Sequence, residues 1–467
     1  MSTESPNHPA LTLPCIQASP DLQEPPDRRR WGMLAGGVVV MILLSNYQYC
    51  FTLFTPGMKQ QFSGVPYADI ALIFSIFVLF ETWPVPLAGA LIDRFGIRQL
   101  MLVGSVFVGA GWIGGGLTAT SVFQLYVWYG LIAGLGCGII YVAVVGNAIR
   151  WFPDRRGLAA GITAAGFGGG SALTPIPISL SIQSMGWGHA MAAWGLAQGG
   201  VIFLLALYLR APEPGWRPMG WDAAALHRVA QTSSDYSWKQ TLRMPEFHLL
   251  YLIHFLISLG GLMTLGNLSE IARSLHVDHT TIFGISIVAF AATANGISST
   301  VSRIICGAAS DQAGRENTMA IVFLVEAACI FAVTQISGNP ILFVIVFPLV
   351  FFGYGQLNTL LSATTGDLFG SKNASANFGM VYTGKGAAAV FSGWGAAAVA
   401  AAFAGSFVAP YYIAAGCDVL AAALALCALK PIARRTLARA AQSRIVEPSR
   451  SANNHPPTSS PKPETTS

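Results

Sequence analysis

The sequence predicts an all-α polytopic membrane protein with twelve transmembrane helices in two pseudo-symmetric six-helix halves. Three observations support this fold class: the composition, the apolar runs and an internal repeat. Of 467 residues, 53% are hydrophobic and 10% are charged, whereas soluble domains contain about 25% charged residues. The mean hydropathy is +0.55. This composition excludes a single soluble globule.

Twelve apolar runs approach or exceed the roughly 20 residues that a helix needs to cross the hydrocarbon core of a bilayer. They lie at about 31–54, 68–92, 99–119, 122–149, 158–182 and 189–210, and again at about 247–270, 281–309, 317–337, 340–363, 376–402 and 408–430.

The twelve runs divide the chain into five segments. Residues 1–30 are polar and rich in proline, which predicts a disordered cytoplasmic tail. The two predicted six-helix halves are 31–210 and 247–430. A polar cytoplasmic loop, 211–246, separates them. The basic segment 431–467 predicts a second disordered cytoplasmic tail.

The basic residues predict the orientation in the membrane. If the N-terminus is cytoplasmic, 22 of the 26 Lys and Arg residues lie on the cytoplasmic side. Lys59 and Arg273 fall on the other side, and Arg303 and Lys385 fall within spans. This distribution follows the positive-inside rule, so we expect a cell (inner) membrane protein with both termini cytoplasmic. The charge therefore indicates topology in a lipid bilayer and not a nucleic-acid partner.

The two halves repeat at an offset of 218 residues. The segment 89–96, GALIDRFG, follows the second span, and 307–315, GAASDQAGR, follows the eighth. The same offset relates Gly161 to Gly379. Duplicated six-span halves are typical of transporters whose substrate site lies near mid-membrane between the halves.

These residues also carry a family resemblance. The segment 89–100, GALIDRFGIRQL, resembles the loop signature of the major facilitator superfamily. The segment 150–161, RWFPDRRGLAAG, and the pair Arg303 and Lys385 resemble the oxalate/formate antiporter family, near the monocarboxylate transporters. The resemblance covers about 31–430. It implies the major facilitator fold and secondary transport of small carboxylate anions.

Arg303 and Lys385 are the leading candidates for substrate binding. A charge at the bilayer centre costs about 2.5–3.5 kcal/mol on insertion scales, so intramembrane cations are usually functional. Arg303 continues a polar helix face from Asn295 and Ser299. A guanidinium matches a carboxylate with two parallel hydrogen bonds, and an ammonium adds a compact charge. The alternative is that each cation pairs with a buried carboxylate and only fixes helix packing.

The repeat places the cations in the second half alone. At the 218-residue offset, Val85 corresponds to Arg303 and Phe167 corresponds to Lys385. A small carboxylate held by cations on one side and by aromatic edges on the other fits this asymmetry. The resemblance implies further residues that line the cavity, although ordinary helix packing would also explain each one. These residues are Gln48, Tyr49, Tyr141, Phe167, Tyr354, Asn358 and Tyr382.

Acidic residues within spans support an alternative function. In the superfamily fold the second and eleventh helices face each other, so Glu81 can pair with Lys385. A carboxylate there could also carry a proton, as in a proton-coupled monocarboxylate transporter. Glu326 and Asp418 lie in the ninth and twelfth spans, which are peripheral in this fold. For these two we expect structural pairing or a displaced span boundary.

The loop signatures predict a conformational role. A carboxylate at a helix N-terminus together with an arginine latch would stabilise one access state and be released in the other. The residues in this group are Gly89, Asp93, Arg94, Arg98, Arg155, Gly307, Asp311 and Arg315.

Other classes of protein have less support. The seven cysteines lack metal-ligand spacing, and the Gly-rich clusters lie within spans, so we expect neither a metal site nor a nucleotide-binding loop. No cofactor, obligatory protein partner or nucleophile–base pair is evident, which argues against an enzyme. An anion-sensing receptor would be expected to carry a signalling domain. The leading prediction is oxalate/formate-type antiport by alternating access, in which a bound anion offsets the desolvation of both cations.

Overall fold

The computed structural model describes residues 28–153, 155–213, 216, 218, 235–336, 338–370 and 373–438. The side chains of residues 28, 89, 90, 93, 156, 157, 374 and 375 are not among those described. The predicted tails and most of the predicted central loop therefore lie outside the described residues.

The first part of the chain is helical up to residue 208. A π-helical segment, Tyr126–Ala133, joins α6 to α7. The helices are α1 (Arg28–Tyr49), α2 (Phe51–Gln61), α3 (Tyr67–Thr82), α4 (Val85–Phe95), α5 (Ile97–Thr118), α6 (Val122–Leu125), α7 (Gly134–Trp151), α8 (Arg156–Leu173) and α9 (Pro175–Tyr208).

The second part contains a short hairpin and ten further helices. Strands β1 (Thr281–Ile282) and β2 (Ile285–Ser286) pair antiparallel. Two π-helical segments, Phe391–Gly395 and Ala425–Leu429, follow α17 and α19. The helices are α10 (Trp238–Thr241), α11 (Pro245–Gly266), α12 (Leu268–Ser274), α13 (Ile287–Ala313), α14 (Arg315–Thr334), α15 (Pro340–Gly355), α16 (Leu357–Phe369), α17 (Ala374–Val390), α18 (Ala396–Ala402) and α19 (Val408–Leu424).

Within the described residues, nine helical stretches are long and apolar enough to cross a membrane. They are Arg29–Gln61, Tyr67–Ala88, Ile97–Thr118, Val122–Trp151, Pro175–Tyr208, Pro245–Gly266, Arg315–Thr334, Pro340–Phe369 and Val408–Ala438.

The other three predicted spans fall on α8, α13 and the run from α17 to α18. The apolar part of α8, Leu158–Leu173, is shorter than a full span. Helix α13 carries Asn295 and Arg303, and α17 carries Lys385, and these polar residues lower the hydropathy. Helices α13 and α17 thus each carry one of the two candidate site cations. A twelve-helix arrangement is consistent with these elements.

One predicted span begins in the wrong place. The run 281–309 starts with the β1–β2 hairpin, and α13 begins only at Ile287. Phe283 and Gly284 form the tip with φ values of 54° and 75°. Positive φ at both central residues is the geometry of a two-residue hairpin turn. An apolar run with β-branched residues does not by itself distinguish a strand from a helix.

Two of the helix contacts that join the first part of the chain to the second are related by the repeat. Helix α3 packs on α17, and α8 packs on α13. The 218-residue offset maps α3 onto α13 and α8 onto α17, so these contacts are equivalent under the repeat. Small residues permit the close approach. A Cβ at Gly386 would overlap Thr82, and a Cβ at Gly296 would overlap Ser171.

Candidate functional site

Lys385 is held by an ion pair between the two parts of the chain. Its Nζ lies 3.2 Å from each carboxylate oxygen of Glu81 on α3. It also donates to Gln48 Oε1 on α1 at 3.2 Å and to the Tyr382 hydroxyl at 3.1 Å. Lys385 is 2% exposed and Glu81 is fully buried. Of the two alternatives considered for Lys385, the structure shows pairing with a buried carboxylate.

Arg303 is held differently, by backbone carbonyls. Its Nε donates to Gly355 O on α15 at 2.8 Å, and its Nη1 donates to Ala164 O on α8. A Cβ at Gly168 would lie 3.2 Å from Arg303 Nη1, so this glycine makes room for the guanidinium. No carboxylate pairs with Arg303 within the described part of the chain. Its charge is therefore without an ionic partner there.

A row of aromatic rings connects the surroundings of the two cations. Tyr382 stacks on Tyr141 with ring centroids 5.8 Å apart and an interplanar angle of 6°. The Tyr141 ring meets Phe167 edge-on at 5.5 Å, and Phe167 meets Tyr49 at 5.8 Å. Tyr49 and Tyr141 both lie within electrostatic range of the Arg303 guanidinium. The structure thus brings seven of the nine predicted substrate-binding residues into one connected group.

The remaining two residues are on α15 and α16. The Tyr354 ring contacts Phe351 edge-on at 6.0 Å, and Phe351 lies 6.3 Å from Tyr49. Tyr354 therefore joins the group through Phe351. Asn358 is half-buried, and its Oδ1 has no hydrogen-bond partner among the described residues. Among the described residues, no hydrogen bond or ring contact links Asn358 to the other eight.

Two residues at the site were not predicted. Phe351 bridges Tyr49 and Tyr354, but it lies in an apolar run where nothing distinguishes it from a lipid-facing phenylalanine. His254 on α11 is fully buried, with its ring 5.9 Å from that of Tyr382. Its Nδ1 lies 3.1 Å from the Val381 carbonyl, which can only accept, so Nδ1 is assigned as the donor.

The predicted arginine latch has a different geometry from the one expected. Arg315 is the first residue of α14, and its Nη1 lies 2.7 Å from Asp311 Oδ1. Its Nε also donates to Asp367 on α16 at 3.2 Å. Asp311 lies near the C-terminal end of α13, so the expected carboxylate at a helix N-terminus is wrong. Arg315 instead ties together the ends of α13, α14 and α16, because its fork reaches both carboxylates.

The other predicted conformational residues lie around α4, α5 and α8. Arg94, Arg98 and Arg155 are exposed, and the Arg94 guanidinium lies 5.2 Å from the Phe95 ring centroid. A Cβ at Gly307 on α13 would meet only Thr359, at 3.8 Å. Gly89 and Asp93 belong to α4, and the structure describes only the backbone of these two residues.

Glu326 and Asp418 form a buried acidic pair on α14 and α19. Both are fully buried, and none of their four carboxylate oxygens has a hydrogen-bond partner among the described residues. A Cβ at Gly260 on α11 would lie 3.6 Å from Glu326 Oε1 and 3.4 Å from Asp418 Oδ2. Both residues lie inside their helices, so the expectation of a displaced span boundary is wrong. The two side chains lie close to each other, and no salt bridge to a cation involves either of them within the described part of the chain.

Comparison with known proteins gives the family. The chain matches the family model of the Major Facilitator Superfamily over residues 34–292 and 250–459. It is 31% identical to the oxalate:formate antiporter of Oxalobacter formigenes over 77% of this chain and 82% of the relative. It is 24% identical to monocarboxylate transporter 12 of Rattus norvegicus over 75% of this chain and 76% of the relative.

A bacterial relative matches over a similar length. The MFS-type transporter YhjX of Escherichia coli (strain K12) is 24% identical over 77% of this chain and 85% of the relative. The similarity thus covers most of the described helices and agrees with the resemblance of the loop signatures. The chain belongs to the major facilitator superfamily, related to the oxalate/formate antiporters and the monocarboxylate transporters, and is a multi-pass membrane transporter and not an enzyme.

Proposed function

We propose that this protein exchanges small carboxylate anions, of the oxalate/formate type, across the cell membrane by alternating access. The observation that carries the proposal is the buried Arg303 guanidinium, which has no carboxylate partner within the described residues. An unpaired buried cation is costly, and an anionic substrate would supply the missing charge. The relatives named for oxalate, formate and monocarboxylates support this substrate class.

Arg303 also lies where an anion can act on both halves of the chain. It is on α13 and contacts the backbone of α8 through Ala164 O. A carboxylate binds a guanidinium more strongly than a carbonyl does, because the acceptor is charged and can accept two parallel hydrogen bonds. A bound carboxylate would therefore compete with Ala164 for the guanidinium. Binding is thus linked to the α8–α13 contact, about which the halves 31–210 and 247–430 would rock.

The coupling to exchange follows from charge. Closing the site around an empty cation removes water from it without compensation, which is unfavourable. Closing it around a bound carboxylate is favourable, because the two charges cancel in a low-dielectric environment. The loaded carrier therefore reorients and the empty one stalls. A carrier with this property performs antiport.

The Lys385–Glu81 ion pair supports a second candidate function. In that candidate Glu81 carries a proton, and a monocarboxylate enters with the proton without any exchanged anion. The supporting observation is the 3.2 Å contact between Lys385 Nζ and both Glu81 oxygens. The two candidates differ in one requirement: symport proceeds into empty vesicles under a pH gradient, whereas antiport needs an anion on the far side.

Counterflow in proteoliposomes tests the proposal. Labelled oxalate is offered to vesicles preloaded with formate, oxalate, lactate or buffer alone. We expect uptake only into vesicles that contain a carboxylate, and loss of that uptake in Arg303→Gln and Lys385→Gln. Arg434→Gln serves as the control, because Arg434 is exposed near the end of the described chain. Normal exchange in both site variants would exclude this site.

A further inference from the structure

We infer that Glu81 is a proton site that sets the net charge of the cargo: a monocarboxylate crosses alone, and a dicarboxylate dianion crosses only with one proton. The inference rests on the proposed function, since it assigns the charge of the substrate at the same site. It differs from proton symport of monocarboxylates, because here the monocarboxylate needs no proton.

The inference begins with the charges that the site contains. Arg303 and Lys385 contribute two positive charges, and Glu81 contributes one negative charge. With all three ionised, the net charge of the site is +1. The sequence shows two intramembrane cations, and among the described residues the ion pair leaves Arg303 alone without an ionic partner. A site of charge +1 is neutralised by a monoanion and is over-compensated by a dianion.

The free energy of closure depends on this balance. A buried site that retains net charge has a large desolvation penalty, whereas a balanced one does not. With a monocarboxylate the closed site is neutral. With a dianion and an ionised Glu81 it retains a charge of −1. Protonation of Glu81 removes that excess, because two cations then face a dianion.

The contacts of Glu81 explain how its protonation frees Lys385 to bind the second carboxylate of a dianion. Glu81 is the ionic partner of Lys385, at 3.2 Å from Nζ to each oxygen. Once Glu81 is neutral, the Lys385 ammonium loses its ionic partner and can bind an anion. The Tyr382 hydroxyl, 3.4 Å from Glu81 Oε1, can either donate to the carboxylate or accept from the protonated acid. The carboxyl group therefore has a partner in both protonation states.

Other titratable groups face Glu81 from the surrounding helices. They are the Tyr49, Tyr141, Tyr354 and Tyr382 phenols, the Cys137 thiol and, next to Tyr382, the His254 imidazole. The phenols and the thiol are neutral acids that do not accept a proton. His254 is the rival site, because its Nε2 has no hydrogen-bond partner among the described residues. Arg303 and Lys385 are the cationic groups of the site.

Oxalate/formate exchange under separate pH and voltage gradients tests the inference. Vesicles are loaded with formate, the formate ratio is fixed, and the equilibrium accumulation of labelled oxalate is measured. In the wild type, oxalate and one proton exchange for formate without net charge. We expect accumulation to change about tenfold for each pH unit and not to respond to a potassium–valinomycin potential.

The Glu81→Gln variant should lose the pH dependence. Glutamine keeps the shape and hydrogen-bonding ability of the side chain but has no charge and no proton to release. Both cations are then free of an ionic partner, and the dianion crosses alone. At a site charge of +2 a single formate leaves an excess of +1, so one oxalate exchanges for two formates, and oxalate accumulation should respond neither to pH nor to membrane potential. Glu81→Asp keeps the carboxylate and should retain the pH dependence.

The possible outcomes distinguish failure of the inference from failure of the proposed function. Voltage-driven, pH-insensitive oxalate exchange in the wild type would overturn the inference and leave carboxylate antiport standing. Retained pH coupling in Glu81→Gln would also overturn it, and loss of that coupling in His254→Gln would move the proton to His254. Absence of any carboxylate counterflow in the wild type would overturn the proposed function and the inference together. If Glu81→Gln fails to fold, the wild-type pH and voltage responses alone decide.

Discussion

Lys59 Nζ on α2 lies 2.8 Å from both carboxylate oxygens of Glu270 on α12. The Arg273 guanidinium lies 3.7 Å from the same carboxylate. These are the only two basic residues that the charge pattern placed on the non-cytoplasmic side, and the fold brings both to one acid. Next to Glu270 in the sequence, the Ser269 hydroxyl donates to Thr52 O at 2.6 Å. The structure therefore describes a state in which this end of the transporter is closed.

Removing the Lys59–Glu270 pair should shift the carrier away from this closed state. Lys59 and Glu270 are 24% and 11% exposed, so we expect the pair to contribute about 1 kcal/mol, or about fivefold in the access equilibrium. A thiol reagent added on the side of the membrane where Lys59 lies should label cysteines faster in Lys59→Gln and in Glu270→Gln than in the wild type. The charge-swapped Lys59→Glu/Glu270→Lys protein should regain protection. Equal labelling in all four proteins would mean that the pair does not hold this end closed.

A methyl group at Gly168 should disturb Arg303 directly. A Cβ there would lie 3.2 Å from Arg303 Nη1 and 3.0 Å from the Thr300 hydroxyl, which is tighter than ordinary packing. We expect Gly168→Ala to lower exchange at least tenfold, which corresponds to about 1.4 kcal/mol. Gly169→Ala is the matched control, because its nearest neighbour, Thr300, lies at 3.9 Å. Similar exchange rates in the two variants would mean that transport does not depend on the position of the Arg303 guanidinium.

Replacing Arg303 by lysine tests the geometry of the site separately from its charge. Lysine keeps the positive charge but lacks the planar fork that reaches Gly355 and Ala164 together. We expect Arg303→Lys to bind oxalate at least tenfold more weakly than the wild type and Arg303→Gln to show no binding. Tryptophan fluorescence titration in detergent measures this ranking. Wild-type affinity in the lysine variant would show that charge alone suffices.

The Glu326–Asp418 pair should destabilise the folded protein. Two buried carboxylates without a cation disfavour ionisation of both, and an amide in place of one acid could donate a hydrogen bond to the other. We expect Glu326→Gln and Asp418→Asn each to raise the stability by about 1 kcal/mol, measured as the Tm in detergent. The double variant should gain less than the sum, because both changes relieve the same repulsion. A lowered Tm in both single variants would indicate a partner that stabilises the ionised pair.

The sequence determined the class of protein and the location of its unusual charges. A low charged fraction and long apolar runs require a lipid environment, and the residues themselves identify Arg303 and Lys385 as cations within it. The loop signatures also indicate the family, because they are local and contiguous. The apolar run 281–309 predicts one helix but begins with a hairpin, since an apolar run of β-branched residues is compatible with both a strand and a helix.

Only the tertiary structure decided which groups face one another. Helical periodicity shows which residues share a face, but not which residue of another helix that face meets. The sequence allows Lys385 to face either an anionic substrate or a buried carboxylate. The packing of α3 on α17 places Glu81, 304 residues away in the sequence, next to Lys385. Arg303 contacts carbonyl groups and no acid among the described residues, and Glu326 lies near Asp418. The net charge of the site depends on these pairings, because Coulomb interactions in a low-dielectric interior are set by distances between helices and not by sequence order.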